Sequence, residues 1–313
     1  MFHLERRLKS VVLPVEFTRW RVKLTPTASI LAKTIIGKLA RRAAYIRRLS
    51  QPVAIEPPPE PTAPSDSEQP TVGQQFRAFL RLLRPHDALH VEKARFGSRQ
   101  DGGYVMLDDL GQSRMALSLG IGSEASWDLS MVERGLHVVQ FDDAVSGPPQ
   151  HSPGFSFNRA RVVGQAELPG DVTLAQILAR SDLAGDNNLI VKIDIEGWEW
   201  EVLRESPKQA LTRVRQITIE FHEMARFVDP AWRGTALATV ENLLKTHACI
   251  HIHGNNCAPF AVIDGVAFPS VFEATFVRRS DYALIPSTAV FPTELDYPNN
   301  PGAPDHYIGH WTF

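Results

Sequence analysis

The chain has 313 residues, is 43% hydrophobic and 22% charged, carries a net charge of −2 and contains two cysteines, Cys249 and Cys257. These values describe a globular protein of one large domain plus appendages, and they exclude a disulfide-stapled scaffold or a four-cysteine zinc module. No apolar run approaches the ~20 residues that a bilayer-spanning helix needs.

The charge is unevenly spread. Residues 1–50 carry 12 Lys and Arg against Glu5 and Glu16, a local +10, so the remainder holds a local −12. In this basic arm Ile30, Leu31, Ile35, Ile36, Leu39, Ala43 and Ile46 recur at roughly helical spacing, with Lys33, Lys38, Arg41, Arg42, Arg47 and Arg48 between them. Such a basic amphipathic helix can lie on an anionic membrane surface, dock on a partner or fold onto the acidic body. No nucleic-acid-binding module accompanies it, so a nucleic-acid partner is not expected. No signal-peptide core is visible, and the expected location is the cytoplasm, with the membrane periphery open through the arm. Residues 51–72 form a linker, in which Pro52, Pro57, Pro58, Pro59, Pro61, Pro64 and Pro70 fall among polar residues and bury no core.

The main domain is expected over residues 73–284, followed by a tail at 285–313. Gln74–Leu83 reads as a helix, and Asp101-Gly102-Gly103 as a turn before a short strand, Tyr104–Leu107. From Met115 strands and helices alternate. Strands are predicted at Met115–Ile121, Leu136–Phe141, Arg159–Gln165, Leu189–Ile193, Val214–Phe221 and Cys249–His253. Helices are predicted at Ala125–Arg134, at Thr173–Arg180 with Asp171 as cap, after Trp198, and at Ala231–Thr246. Ala261–Phe268 and Phe272–Arg278 read as two more strands that close the sheet antiparallel, and the tail after Leu284 as a loop or wrap. This alternation predicts an α/β, doubly wound, mainly parallel Rossmann-like sheet with an antiparallel end.

In such sheets ligands bind at the carboxyl edge of the strands. Asp142, Asp194, Glu196, Glu220, His222, His251 and His253 all fall near that edge. Gly120 and Gly122 let a ligand approach the backbone at the end of the first sheet strand, and Asp142, about 20 residues on, can accept hydrogen bonds from ribose hydroxyls or serve only as a loop acid. The third glycine of the dinucleotide fingerprint is replaced by Ala125, and Glu124 directly follows the turn. A sulfonium or zwitterion is tolerated there better than a pyrophosphate, which favours S-adenosylmethionine over NAD. Asp194 and Glu196 either border the ligand or cap the helix that follows Gly197.

The layout resembles the FkbM-type S-adenosylmethionine-dependent methyltransferases. The matching stretches are Asp101-Gly102-Gly103-Tyr104-Val105, Ser118-Leu119-Gly120-Ile121-Gly122, Asp142, Thr173-Leu174, Lys192-Ile193-Asp194-Ile195-Glu196-Gly197-Trp198-Glu199, Ile219-Glu220-Phe221-His222 and His253-Gly254-Asn255-Asn256. One departure is Ser118, which stands where an acid would precede the glycine turn. The resemblance implies a class I methyltransferase sheet and methyl transfer, commonly to a hydroxyl of a sugar or related metabolite, so a small-molecule or glycan acceptor.

Methyl transfer to a hydroxyl gains from a general base. His222 is the first candidate, with Asp194 and Glu196 beside it, and His251 or His253 is second; each histidine can instead be a hydrogen-bonded structural residue. Cofactor contacts are expected from Gly120, Gly122, Asp142 and Asp194. Asp194, Glu220, His222 and His253, with Glu196, could instead hold Mg²⁺ or Mn²⁺. Tyr104, Trp127, Trp198, Trp200 and Trp232 are stacking candidates or core residues. The competing readings are an NAD-type oxidoreductase and a scaffold that keeps the fold without the chemistry.

Overall fold

The computed structural model describes residues 69–313 except 181 and 184. The basic arm, with the amphipathic helix expected in it, and nearly all of the proline-rich linker lie outside the described residues. The first helix, α1 (Val72–Leu82), opens with a capping box in which Thr71 and Gln74 exchange side-chain and backbone hydrogen bonds. Strands β1 (His86–Ala88), β2 (Lys93–Phe96) and β3 (Tyr104–Leu107) follow, and β2 and β3 form a hairpin. The alternating part then runs β4 (Met115–Leu119), α2 (Ser126–Glu133), β5 (His137–Phe141), β6 (Phe155–Asn158), β7 (Arg161–Val162), β8 (Asp171–Val172), α3 (Leu174–Leu178), β9 (Leu189–Ile193), α4 (Glu199–Glu205), α5 (Lys208–Leu211) and β10 (Val214–Phe221). It ends with α6 (Pro230–Leu244), β11 (His247–Gly254), the hairpin β12 (Phe260–Ile263) and β13 (Val266–Pro269), and β14 (Phe272–Arg278).

Seven strands form the central sheet in the order β11-β14-β10-β9-β4-β5-β6. The pairs from β6 through β10 are parallel, and β14 runs antiparallel between β10 and β11. Numbered along the chain and read from the β6 edge, the order is 3-2-1-4-5-7-6. This is the class I methyltransferase form of the Rossmann-like sheet, with its reversed strand slipped into the end. The winding changes direction between β4 and β9, so the crevice at their carboxyl ends is the topological switch point where ligands of such sheets sit.

The two faces of the sheet differ. One packs Leu117, Val139, Val191, Ile219 and Phe221 against Phe76, Phe79, Trp200 and Phe227. Its aromatic rings meet at 4.5 Å (Trp200 and Phe221) and 4.8 Å (Phe76 and Phe227), within the range of favourable tilted pairs. The other face carries buried polar residues that the β2–β3 hairpin and α2 satisfy. Gln216 Oε1 accepts from Leu107 N at 3.0 Å, Thr275 Oγ1 donates to Val105 O at 2.7 Å, and Ser118 Oγ donates to Asp128 Oδ2 at 3.2 Å.

Three expectations need correction. The third sheet strand is Phe155–Asn158, not Arg159–Gln165, because β6 is a half-covered edge strand with no clear alternation; Arg161–Val162 pairs with Asp171–Val172 in a separate ladder. Helix α3 is capped by Thr173, in a box with Gln176, whereas the Asp171 carboxylate takes Arg161 and the N–H groups of Glu167 and Leu168. The stretch Ala261–Phe268 is not one strand. Asp264 and Gly265, both at positive φ, turn it into a hairpin outside the central sheet. Only Phe272–Arg278 joins that sheet. The tail does wrap: Leu284–Pro286 (β15) pairs with β1, and Val290–Phe291 (β16) pairs with Gly309–His310 (β17).

Candidate active site

The site is built where β4 and β9 end. Gly120 has φ +81°, and a Cβ there would lie 1.7 Å from the Asp194 carbonyl oxygen. Asp194 N also donates to Leu119 O at 2.8 Å. The glycine turn and Asp194 are therefore in direct contact, and only glycine fits. Lys192, buried in β9, donates from Nζ to Gly120 O at 2.6 Å and stands 3.9 Å from Asp194 Oδ2. A lysine in the middle of an apolar strand thus fixes the turn and faces the acid.

Asp142 closes the other side of the turn. Its Oδ2 accepts from Ile121 N at 3.0 Å and Gly122 N at 2.9 Å, while Oδ1 accepts from Ala144 N and Val145 N in its own loop. Its carboxylate holds the glycine turn in shape and remains partly exposed beside it. The carboxylate missing at Ser118 is supplied by α2: buried Asp128 accepts from Ser118 and, at 2.7 Å, from Gln140 Nε2. Glu124 Oε1 accepts from Ser126 N at 2.9 Å, so a carboxylate already occupies the first turn of α2. In dinucleotide-binding proteins that helix end receives the pyrophosphate. Glu124 also packs on Gly102, where a Cβ would fall 1.8 Å from its Oε2, which ties the Asp101-Gly102-Gly103 turn to the edge.

Asp194, Glu220 and His222 come together, with one ligating atom from each lying within 4.8 Å of the others. His222 Nε2 lies 3.2 Å from Glu220 Oε1 and 4.0 Å from Glu196 Oε2. Its Nδ1 lies 3.2 Å from Glu199 Oε1, which also accepts from His222 N at 2.7 Å; Glu199 Oε2 accepts from Gly197 N at 2.8 Å. Glu199 is fully buried. Trp200 Nε1 donates to His222 O at 2.8 Å, which places that indole in the core beneath the site. Asn255 Nδ2 donates to Glu220 Oε1 at 3.1 Å. Glu196 and Glu223, on the turns that leave β9 and β10, both adopt positive φ, and such left-handed backbone at non-glycine residues clusters at functional sites. Glu196 itself is largely exposed, at 69% of its side chain.

Burial raises the Glu220 carboxyl, and the nearby charge of Asp194 pushes it further, to about 8. Burial works against a charge on His222, but Glu199 and Glu220 outweigh it and hold the imidazole well above its ordinary value. The Glu220–His222 pair therefore keeps a proton at neutral pH.

His253 lies in a neighbouring group. Its Nδ1 is 3.2 Å from Glu273 Oε2, and its Nε2 is 3.1 Å from Asp305. Asn299 bridges Glu273 Oε1 at 2.7 Å and Asp101 Oδ1 at 3.2 Å. His251 Nε2 lies 2.8 Å from Asp296 Oδ1. The tail thus engages His251 and His253 of β11, and three of the five metal candidates converge, while Glu196 stands 4.0 Å from His222 Nε2 and His253 pairs elsewhere. Among the aromatic candidates, Trp127, Trp200 and Trp232 are core residues, and Trp198 is 41% exposed with Arg161 5.6 Å from its ring. Tyr104 is buried over the site, and its hydroxyl has no hydrogen-bond partner among the described residues. The sequence placed Glu199 and Asn255 in the shared motifs without assigning them a role, and it gave no sign of Asn299 or the tail acids. Glu199 looks like an ordinary first-turn acid, and the others meet the site only through long-range contacts.

No protein-family model matches the chain, and no curated protein matches it. Solved structures that align with it include two mutants of the 16S rRNA (adenine(1408)-N(1))-methyltransferase from Catenulisporales acidiphilia. One is 11% identical over 53% of this chain and 87% of that one, with a TM-score of 0.29; the other is 11% identical over 59% and 97%, with a TM-score of 0.27. A precorrin-6y C5,15-methyltransferase from Geobacter metallireducens GS-15 aligns at 11% identity over 66% and 89%, with a TM-score of 0.25. At these values the likeness bears on neither activity nor acceptor.

Proposed function

We propose that the chain is an S-adenosylmethionine-dependent methyltransferase acting on a hydroxyl of a sugar or related metabolite. The observation that carries this reading is the contact between the glycine turn and Asp194 at the switch point, which sets a cofactor cradle directly against a polar group able to manage a proton. Gly120 lets the turn close directly onto the Asp194 backbone, Asp142 offers its carboxylate edge to ribose hydroxyls, and Asp194 stands where a cationic methionine end is favoured. When bound, S-adenosylmethionine would supply a sulfonium-activated methyl, its sulfur keeping the electron pair of the bond given up to the acceptor oxygen. Asp194, Glu220 and His222 orient the acceptor hydroxyl; because His222 already holds a proton, the hydroxyl proton passes to the carboxylate side of the cluster, with Glu220 positioned by His222 Nε2. Glu124, seated on the first turn of α2, disfavours a dinucleotide pyrophosphate in that position. The motifs shared with FkbM-type enzymes support the same reading and suggest the carbohydrate-type acceptor.

The test is turnover of methyl-labelled S-adenosylmethionine against a panel of sugars and polyols, using the full chain and its His222→Ala variant. Label transfer to a hydroxyl that drops at least ~100-fold in the variant is expected for loss of a proton-handling group. Full activity in His222→Ala removes His222 from the mechanism, and transfer to nitrogen or carbon acceptors alone removes the O-methyl assignment.

A further inference from the structure

We infer that Asp194, Glu220 and His222 form a site for one divalent cation of the Mg²⁺ or Mn²⁺ kind. The inference deepens the methyl-transfer reading by naming what organises the acceptor, but the site itself stands on separate observations.

The donors fit. A carboxylate oxygen from the end of β9, one from β10 and an imidazole nitrogen just past β10 lie within 4.8 Å of one another, so all three can reach a single ion. Two carboxylates and one imidazole are a donor set that Mn²⁺ accepts and Mg²⁺ tolerates. The support around them has the form of an outer shell. A metal-bound histidine commonly donates its other ring N–H to a carboxylate. Buried Glu199 stands 3.2 Å from His222 Nδ1, which leaves Nε2 directed at Glu220. Glu199 is itself fixed by the backbone N–H groups of Gly197 and His222, and Asn255 holds Glu220.

A second observation points to a missing occupant. Tyr104 is only 1% exposed, yet its hydroxyl has no partner among the described residues. Lys192 Nζ lies 5.9 Å from the Tyr104 ring centre and 3.9 Å from Asp194 Oδ2, so ring and acid share one corner of the site. A buried hydroxyl left unpaired is costly, and the water shell of a bound ion would satisfy it. Charge points the same way. Asp101, Asp194, Glu199, Glu220 and Glu273 crowd this edge against Lys192, His222 and His253.

Three protein donors leave about half of a six-coordinate shell open. Two adjacent acceptor oxygens can fill it, so the site selects a vicinal diol over an isolated hydroxyl. The alternative occupant is the ammonium of the cofactor's methionine end, which needs carboxylates but no imidazole nitrogen.

The experiment titrates Mn²⁺ into EDTA-treated full chain, following free Mn²⁺ by electron paramagnetic resonance and the His222 ring by NMR. Expected are one Mn²⁺ per chain, paramagnetic broadening of His222, and affinity falling at least ~10-fold in Asp194→Asn and in Glu220→Gln. Glu167→Gln, at the exposed surface away from the cluster, should bind as wild type. Near-ultraviolet circular dichroism of each variant separates lost binding from lost folding, and His222→Gln provides a second probe. No binding at millimolar Mn²⁺, binding unchanged in both acid variants, or one-for-one displacement of Mn²⁺ by S-adenosylhomocysteine overturns the inference. S-adenosylhomocysteine binding measured without metal reports on the methyl-transfer reading separately, so the failure of one leaves the other standing.

Discussion

Glu199 connects three parts of the site through one carboxylate. It receives the backbone N–H groups of Gly197 and His222 and stands against the His222 ring, so a single buried acid sets both turn and imidazole. Glu199→Gln keeps the shape but replaces an acceptor oxygen with a donor. The expected outcome is a ~10- to 100-fold loss of turnover with S-adenosylhomocysteine affinity retained, because outer-shell partners tune a functional histidine to about that extent; wild-type turnover would show that the ring is oriented otherwise. Gly120 makes a different demand. Its φ of +81° and the Asp194 carbonyl that a Cβ would meet at 1.7 Å leave no room for a side chain. Gly120→Ala should lower stability in urea denaturation by at least ~1–3 kcal/mol, the usual cost of a strained left-handed residue, and weaken cofactor binding as well. An unchanged denaturation midpoint would mean that the turn relaxes without cost.

At the scale of elements, the reversed strand β14 and the tail finish the carboxyl edge. The tail brings Asp296 to His251 and Asp305 to His253, while β14 brings Glu273 to His253 from the other side. Burial opposes a charge on His253, but Asp305 and Glu273 outweigh it and raise the imidazole to about 10. A group raised above its unfolded value, near 6.5, contributes stability that is fully present below that value and lost as pH climbs through about 10. The melting temperature of Asp305→Asn should therefore fall below wild type near pH 6–7, and the gap should narrow as pH approaches 10. A constant gap would assign the loss to packing alone.

The strands β4, β5, β9 and β10 were legible as apolar runs at the right spacing, and so was the helix α6. The edge strand β6 was not, since half-burial blurs its pattern. The Asp264-Gly265 turn carried a signal strong enough to split β12 from β13, had it been weighed above the apolar run. The tail acids carried none, because their histidine partners lie 45 and 52 residues away in sequence.

For the whole molecule, the strand order places the glycine turn, Asp142 and the Asp194–Glu220–His222 cluster at one switch point, and that convergence was readable once strand ends were lined up. What could not be read was which acids touch which histidine, since that depends on register and on a tail without periodicity. Among the described residues no helix is long and apolar enough to cross a membrane. The arm's local +10 predicts that the full chain binds vesicles containing anionic lipid, that salt weakens this binding, and that a chain lacking residues 1–68 does not bind. Equal binding to neutral vesicles would contradict it.

The proposed function stands on the switch point being a site for S-adenosylmethionine. Titration calorimetry of the full chain with S-adenosylhomocysteine, run beside NAD, tests it most directly. One site for S-adenosylhomocysteine is expected, weakened ~10-fold or more in Asp142→Ala, which corresponds to about 1.4 kcal/mol. Binding of NAD with none of S-adenosylhomocysteine would contradict it.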